Sequence, residues 1–285
     1  MAASTADAPP GFRRVLLSRP STVVALAVFA IIALACLLLP ATGLVPLGGM
    51  SVRSRLTPPG AEFWLGADAF GRDVLARLLV AGQTSLAIGL GVAALSSVIG
   101  IAIGLVAGFY RRLDAPLSRL VDAMMAFPDI LLALSLVAIF GGTVINVILA
   151  LSVVYAPRIA RIVRASTLVI RELPYVEAAR ALGTRTPTIM WTHVLRNILS
   201  PILVQATFIF AYAMLAEAGL SFLGVGVDPS TPTWGIMVNE GRQFIDNAFY
   251  LILFPGLGIA LAVLSLQLVG DGLRDALDPK LAKET

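Results

Sequence analysis

From Leu78 to Tyr110 the chain reads LLVAGQTSLAIGLGVAALSSVIGIAIGLVAGFY, 33 residues without a charge between Arg77 and Arg111. A helix that crosses the hydrocarbon core of a bilayer needs about 20 mostly apolar residues. One spanning helix, at roughly 83–108, fits inside this stretch. Gly100, Gly104 and Gly108 recur there every four residues and so share one helix face. Small residues at that spacing let a second helix approach closely in lipid, where packing replaces the hydrophobic drive.

Similar runs recur along the whole length. A first span runs from Val23 to Leu39 and ends at Pro40. Between Asp129 and Arg158 lie 28 uncharged residues, too many for one crossing, interrupted by Gly141-Gly142-Thr143. That break predicts a tight turn between a third span at about 117–140 and a fourth at about 144–164. A fifth covers about 199–223 and a sixth about 248–270. The composition agrees, with 58% hydrophobic residues, 13% charged and a mean hydropathy of +0.90. A soluble domain carries about 45–50% apolar and about 25% charged residues. The expectation is an all-α membrane protein of six helices, not a soluble domain with one anchor.

Orientation follows from the basic residues flanking the spans. With the N-terminus in the cytoplasm, 16 of the 21 Lys and Arg fall on the cytoplasmic side and 5 on the other. Both termini are therefore expected inside, with tails at 1–22 and 271–285 around a membrane domain at 23–270. The outside segments are 41–82 and 224–247, and the largest inside loop is 165–198. Arg13 and Arg14 before an apolar run imitate a signal peptide, and Ala35-Cys36 a lipidation site. The apolar run continues past Cys36, so a retained first span is the better reading. In the first outside segment Asp73 and Arg77 are four apart, a spacing at which a short helix pairs them.

Several chemistries are missing. One Cys and one His make neither an intrachain disulfide nor a four-ligand zinc site. The only lysines are Lys280 and Lys283, so no phosphate-cradling Gly-x-x-x-x-Gly-Lys-Ser/Thr loop exists. Gly-x-Ser-x-Gly and His-Glu-x-x-His are also absent, and no basic face on a soluble element suits nucleic acid. A membrane-embedded enzyme lacks a nucleophile, base or metal constellation.

The inside loop carries helix punctuation. Pro174 suits a first helical turn, and Glu177-Ala178-Ala179-Arg180-Ala181-Leu182 contains good helix formers. Gly183 suits the position beyond a helix end, and Thr186 with Pro187 can open a second short helix reaching about Val194. Two short helices broken by a glycine make a rigid knob for contact with another protein, although a structural loop or a solvated carboxylate at Glu177 is the plainer alternative.

These residues resemble a known family. Glu177-Ala178-Ala179, Gly183 and His193-Val194-Leu195-Arg196-Asn197 are similar to the EAA loop of ABC importer permeases. Phe63-Trp64-Leu65-Gly66, Asp68 and Gly71-Arg72-Asp73 resemble the C-type subunit of its dipeptide, oligopeptide and nickel branch. So do Ala126-Phe127-Pro128, Leu220-Ser221-Phe222-Leu223-Gly224, Trp234-Gly235, Gly270-Asp271-Gly272 and Asp278-Pro279. The resemblance runs in order from about residue 12 to 280; Arg196 departs from it, standing where the family usually has Pro.

The resemblance implies a type I importer permease of the bacterial inner membrane, in contact with the lipid bilayer. It implies a second homologous permease subunit, two cytoplasmic ATPase subunits that carry ATP and Mg, and an extracytoplasmic substrate-binding protein. No cofactor is expected on this chain itself. Glu177, Ala178, Ala179, Gly183, His193 and Asn197 would form the loop that docks on the ATPase, Ala178 and Ala179 allowing close approach.

Charges at membrane depth raise a functional question by default. Arg119 and Asp122 are three apart and can pair with each other. Asp129 and Glu217 are candidates to line a path or touch the partner permease, and Pro255 is a candidate kink in the sixth span. The rivals are an ion-coupled secondary transporter, which favours broken helices and mid-membrane charges, and a non-transporting assembly protein, which needs no knob.

Overall fold

The computed structural model describes residues 19–43 and 49–277. Arg13, Arg14, Asp278-Pro279, Lys280 and Lys283 lie outside the described residues, as do the rest of 1–18 and 278–285. Helix α1, Pro20–Leu38, starts on a proline whose fixed φ suits a first turn, and a short 3₁₀ turn at Leu39–Thr42 ends at Gly43 with φ 71°. Helix α2, Val74–Phe109, has 36 residues and a length of about 54 Å. It begins nine residues before the span expected at 83, so the end of segment 41–82 is helix.

Asp73 is the cap of α2 and not a partner of Arg77. Its Oδ1 accepts from the Leu75 and Ala76 amides at 2.7 and 3.2 Å, groups a helix start otherwise leaves unpaired. Arg77 turns to Asp68 and Glu240.

The third span is not one straight helix at 117–140. Helix α3, Arg111–Met125, and helix α4, Asp129–Phe140, meet at 91° across Ala126-Phe127-Pro128. Pro128 carries no N–H and pushes the residue before it out of helical geometry, so the chain turns there. Helix α4 is about 18 Å long, too short to cross by itself. Among the described residues five helices are long and apolar enough to span, and the bent pair makes six when taken as one broken crossing. Asp122 accepts from Arg161, at 2.7 Å, in place of a pairing with Arg119.

Helix α5, Val144–Ile170, returns antiparallel to α4 after the Gly141-Gly142 turn, and its N-cap Thr143 accepts from the Asn146 amide. Helices α6, Pro174–Ala181, and α7, Thr186–Ile189, form the loop. The second short helix expected to end near Val194 has no end there. One π turn at Met190–Val194 and one 3₁₀ turn at Leu195–Ile198 carry it straight into α8, Leu199–Phe222. Thr186 lies inside α7, with Arg185 at the cap position. Helix α9 is Trp234–Gly241 and α10 is Tyr250–Leu277, unbroken through Pro255 and through residues 271–277 that were assigned to the tail.

Helices α2 and α5 form the centre. A Cβ on Gly100, Gly104 or Gly108 would lie 2.6 Å from Ile159 Cβ, from Ala160 O and Val163 Cβ, or from Thr167 Cβ respectively. At the end away from the loop, Trp234 is buried and donates its indole N–H to Leu78 O at 2.9 Å, while Ser85 accepts its amide. Asp68 there accepts from the Phe70 and Arg72 amides and from Arg72 Nε, and Arg77 bridges it to Glu240 on α9. That network holds segment 49–73 against α9 and walls a cavity of about 500 Å³.

Candidate functional site

The loop at 171–198 is held to the end of α2 and α5 by a small core of its own. Val176, Ala179 and Ile189 are buried against Phe109 and Ile170. Arg180 lies over the Phe109 ring at 4.9 Å, and Arg171 donates to Gly108 O at 2.6 Å. Gly183 has φ 77°, its amide reaches Arg180 O and the Thr184 amide reaches Ala179 O, the paired bonds of a left-handed helix stop. Asn197 donates to His193 O at 2.6 Å, and the His193 ring sits 6.0 Å from that of Tyr175. Val176, Ala179 and Ile189 therefore brace the knob from within, while Gly183 and Asn197 shape it at its surface.

Tyr175, Glu177, Ala178 and Arg185 are exposed, as are Leu182 at 85% and Trp191 at 64%. Ala179, expected to help another protein approach, faces inward. Two large exposed apolar side chains at the tip of a protruding loop suit contact with a partner better than contact with water.

Glu217 is 1% exposed within the chain, so it lies on neither a path nor a partner-facing surface. Ser221 donates to it at 2.8 Å, and the Ser85 and Thr233 side chains also hydrogen-bond to it. Because Ser85 and Thr233 accept the Trp234 and Ile236 amides, Glu217 ties α2 and α8 to the start of α9. It is a structural hub.

Asp129 has different surroundings. It opens α4 at the 91° break and forms an ion pair with Arg158, the two side chains being 37% and 31% exposed. The Arg158 guanidinium lies 5.3 Å from the ring centres of both Tyr155 and Tyr212. Arg158 is fifteenth of the 27 residues of α5, about 21 Å from one end and about 18 Å from the other. Tyr212 is as deep in α8, about 20 Å from its start. Two further pairs descend toward the loop, Arg161 with Asp122 and Arg164 with Asp114.

Residues 100–283 match the family model described as "Binding-protein-dependent transport system inner membrane component". The chain belongs to that family. It is the permease subunit of a binding-protein-dependent ABC importer, a multi-pass protein of the bacterial inner membrane, and works with ATPase and substrate-binding partners. It is 48% identical to a putative peptide transport system permease protein of Brucella suis biovar 1 (strain 1330), over 95% of this chain and 92% of the relative. It is 44% identical to the dipeptide transport system permease protein DppC of Alkalihalophilus pseudofirmus, over 80% of this chain and 75% of that one. A glutathione transport system permease protein of Pectobacterium atrosepticum is 42% identical over 78% and 74%.

For a permease, the mid-depth cluster is the feature that sequence reading missed. Arg158 looks like one more basic residue at the end of a span until the break at Pro128 brings Asp129 beside it. Its i+3 and i+6 companions Arg161 and Arg164 were the available signal, since each needs a carboxylate and the preceding segment supplies three.

Proposed function

We propose that this permease moves di- or oligopeptides inward, with both termini and the loop at 165–198 in the cytoplasm. The observation that carries the substrate class is the 48% identity, along 95% of the chain, to a relative named for peptide transport. The orientation rests on the basic residues toward the span ends: with Arg158 set aside at mid-helix, 15 of the remaining 20 fall by sequence on the loop side. A second, homologous permease completes the path, two ATPase subunits hold ATP and Mg, and a binding protein delivers substrate to segments 41–82 and 224–247.

The knob formed by α6 and α7 docks on one ATPase through Leu182, Trp191 and the Glu177 carboxylate. Its own core of Val176, Ala179 and Ile189 against Phe109 makes it stiff, so ATPase closure is passed to the end of α2 and into α8, with which it is continuous. Closure then favours the outward-open arrangement and release restores the inward-open one. A differential of about 5.5 kcal/mol moves such an equilibrium from 1:99 to 99:1.

Glu177→Lys inverts a charge on the exposed face of α6 and leaves the core of the knob untouched. In the reconstituted complex this variant is expected to keep basal ATP hydrolysis and lose at least about tenfold in substrate uptake, a change of about 1.4 kcal/mol in coupling. Unchanged uptake would remove Glu177 from the docking surface.

A further inference from the structure

A partly exposed ion pair some 18–21 Å from either end of a spanning helix does not face lipid, because charged side chains at that depth are costly and turn to a protein neighbour or a water-filled path. The pair is also unusually placed to separate. Asp129 stands on α4 and Arg158 on α5, and α4 is joined to α3 only through the break at Ala126-Phe127-Pro128. A swing of α4 about that break parts the two charges, at the expense of the Ala133 and Val137 contacts that α4 makes in the core it shares with α5. Pro157, beside Arg158, removes the N–H that would otherwise engage the Val153 carbonyl, leaving a further acceptor one turn away.

An opened pair of opposite charges needs opposite charges in return. Separating Arg158 from Asp129 without replacement leaves both uncompensated in a poorly hydrated site, which is strongly unfavourable. A zwitterion supplies both replacements at once, its carboxylate to the Arg158 guanidinium in bidentate fashion and its ammonium to Asp129. Tyr212, exposed and already against the guanidinium, offers a ring face to a side chain lying between the ends, while the buried Tyr155 backs the guanidinium from the core. Such a station reads the two termini and ignores the sequence, which suits a path whose cargo has already been selected elsewhere.

We infer that Asp129, Arg158 and Tyr212, backed by the buried Tyr155, form a mid-membrane station that receives the free amino and carboxyl termini of a short peptide during translocation. The pair is closed on itself when the path is empty and opens onto the cargo. This inference rests on the peptide reading above. Below it, Arg161–Asp122 and Arg164–Asp114 provide two more acid–base steps toward the loop end, with Arg161 and Asp122 more exposed than the pair above.

The test uses the complete importer in proteoliposomes, with its own binding protein and ATPases, and follows uptake of trialanine, its N-acetyl form and its C-terminal amide. Each variant is expressed as a ratio to wild type for the same peptide, so the selectivity of the binding protein cancels. Arg158→Gln is expected to lower trialanine uptake at least tenfold and amide uptake less than threefold. Asp129→Asn should spare the N-acetyl peptide in the same way.

Equal losses for all three peptides, or no loss, would overturn the station. So would uptake restored to within twofold by the exchanged pair Asp129→Arg with Arg158→Asp, because a structural clamp tolerates exchange. Loss of the partner permease on purification of the single variants would make the pair an assembly contact, which also overturns it. Wild-type vesicles that take up none of the three peptides would defeat the peptide reading itself, an outcome distinct from wild-type uptake with indifferent variants.

Discussion

Helix α5 meets its neighbours in two opposite ways. Toward α2 it sets Ile159, Val163 and Thr167 against Gly100, Gly104 and Gly108, one contact per turn, with the Arg171 guanidinium reaching the seam at its loop end, on Gly108 O. Toward α3 and α4 it sets Arg158, Arg161 and Arg164 against Asp129, Asp122 and Asp114. The first seam is close-packed, and sliding it by a fraction of a turn drives side chains into backbone. The second adds separate pairs beside a proline break to the burial of Ala133 and Val137 of α4, and those pairs can be exchanged one at a time. The contrast assigns the fixed body of the permease to α2 and α5 and the moving part to α3 and α4.

The hardest blow to that contrast is Gly104→Val. Its Cβ would lie 2.6 Å from both Ala160 O and Val163 Cβ, and a β-branched side chain has no way round a backbone oxygen. Overpacking of this kind costs about 1–3 kcal/mol or more, and at least a tenfold drop in folded yield is expected by size-exclusion of the extracted protein. Gly256→Ala, where nothing lies within 4 Å, is the control. Full yield from Gly104→Val would mean that the seam can part, and the assignment of a fixed body would fall.

A smaller change sharpens the same point from the other direction. Thr167 Oγ1 is buried in the seam with no hydrogen-bond partner among the described residues. Thr167→Val keeps the shape and removes an unsatisfied polar atom, so a gain of about 1 kcal/mol is expected as a raised Tm. A lowered Tm would show that the seam is polar after all.

On the charged face, Asp122→Asn breaks the most exposed of the three pairs, with side chains 53% and 65% exposed. Such pairs are worth about 0.2–1 kcal/mol and fade with salt. A Tm difference of no more than about 4 °C that vanishes at high ionic strength is expected. A large, salt-independent loss would make this face structural rather than movable.

The two faces also differ in how far the sequence revealed them. The glycine face is local, a four-residue repeat on a helix that hydropathy alone defines, and the family resemblance rests on motifs contiguous in the chain. The charged face joins residues 29 to 50 apart. Pairing Arg119 with Asp122 by spacing failed because α3 carries Asp122 to Arg161 on another helix, and the 28 uncharged residues after Asp129 concealed the break that precedes it. Glu217 misled for a related reason. Its depth was legible, and Ser221 stands one turn along the same helix, whereas Ser85 and Thr233 reach it from other elements. In the loop, Gly183 and Pro174 announced the helix limits through backbone geometry, while the inward direction of Ala179 depends on Phe109 and Ile170.

The least effect belongs to Glu172, just past the end of α5. Arg171 donates Nε to it at 2.9 Å and Arg111 approaches to 3.6 Å, and its carboxyl is held below the usual 4.5, first by the Arg171 hydrogen bond and then by both positive charges. The same Arg171 donates to Gly108 O, so the carboxylate steadies a guanidinium that anchors the loop to α2. A carboxyl whose folded value is depressed contributes its stability above the unfolded value and loses it as pH falls through the folded one. Glu172→Gln should therefore lower the Tm slightly at neutral pH, by less than Asp122→Asn, and the deficit should shrink to nothing as the pH falls below 4.5. A deficit that widens on acidification has the wrong sign for this pairing. A neutral-pH deficit larger than that of Asp122→Asn would show that the joint between loop and glycine seam depends on charge more than the charged face itself does, and the division of α5 into a dry fixed face and a charged movable one would have to be redrawn at its cytoplasmic end.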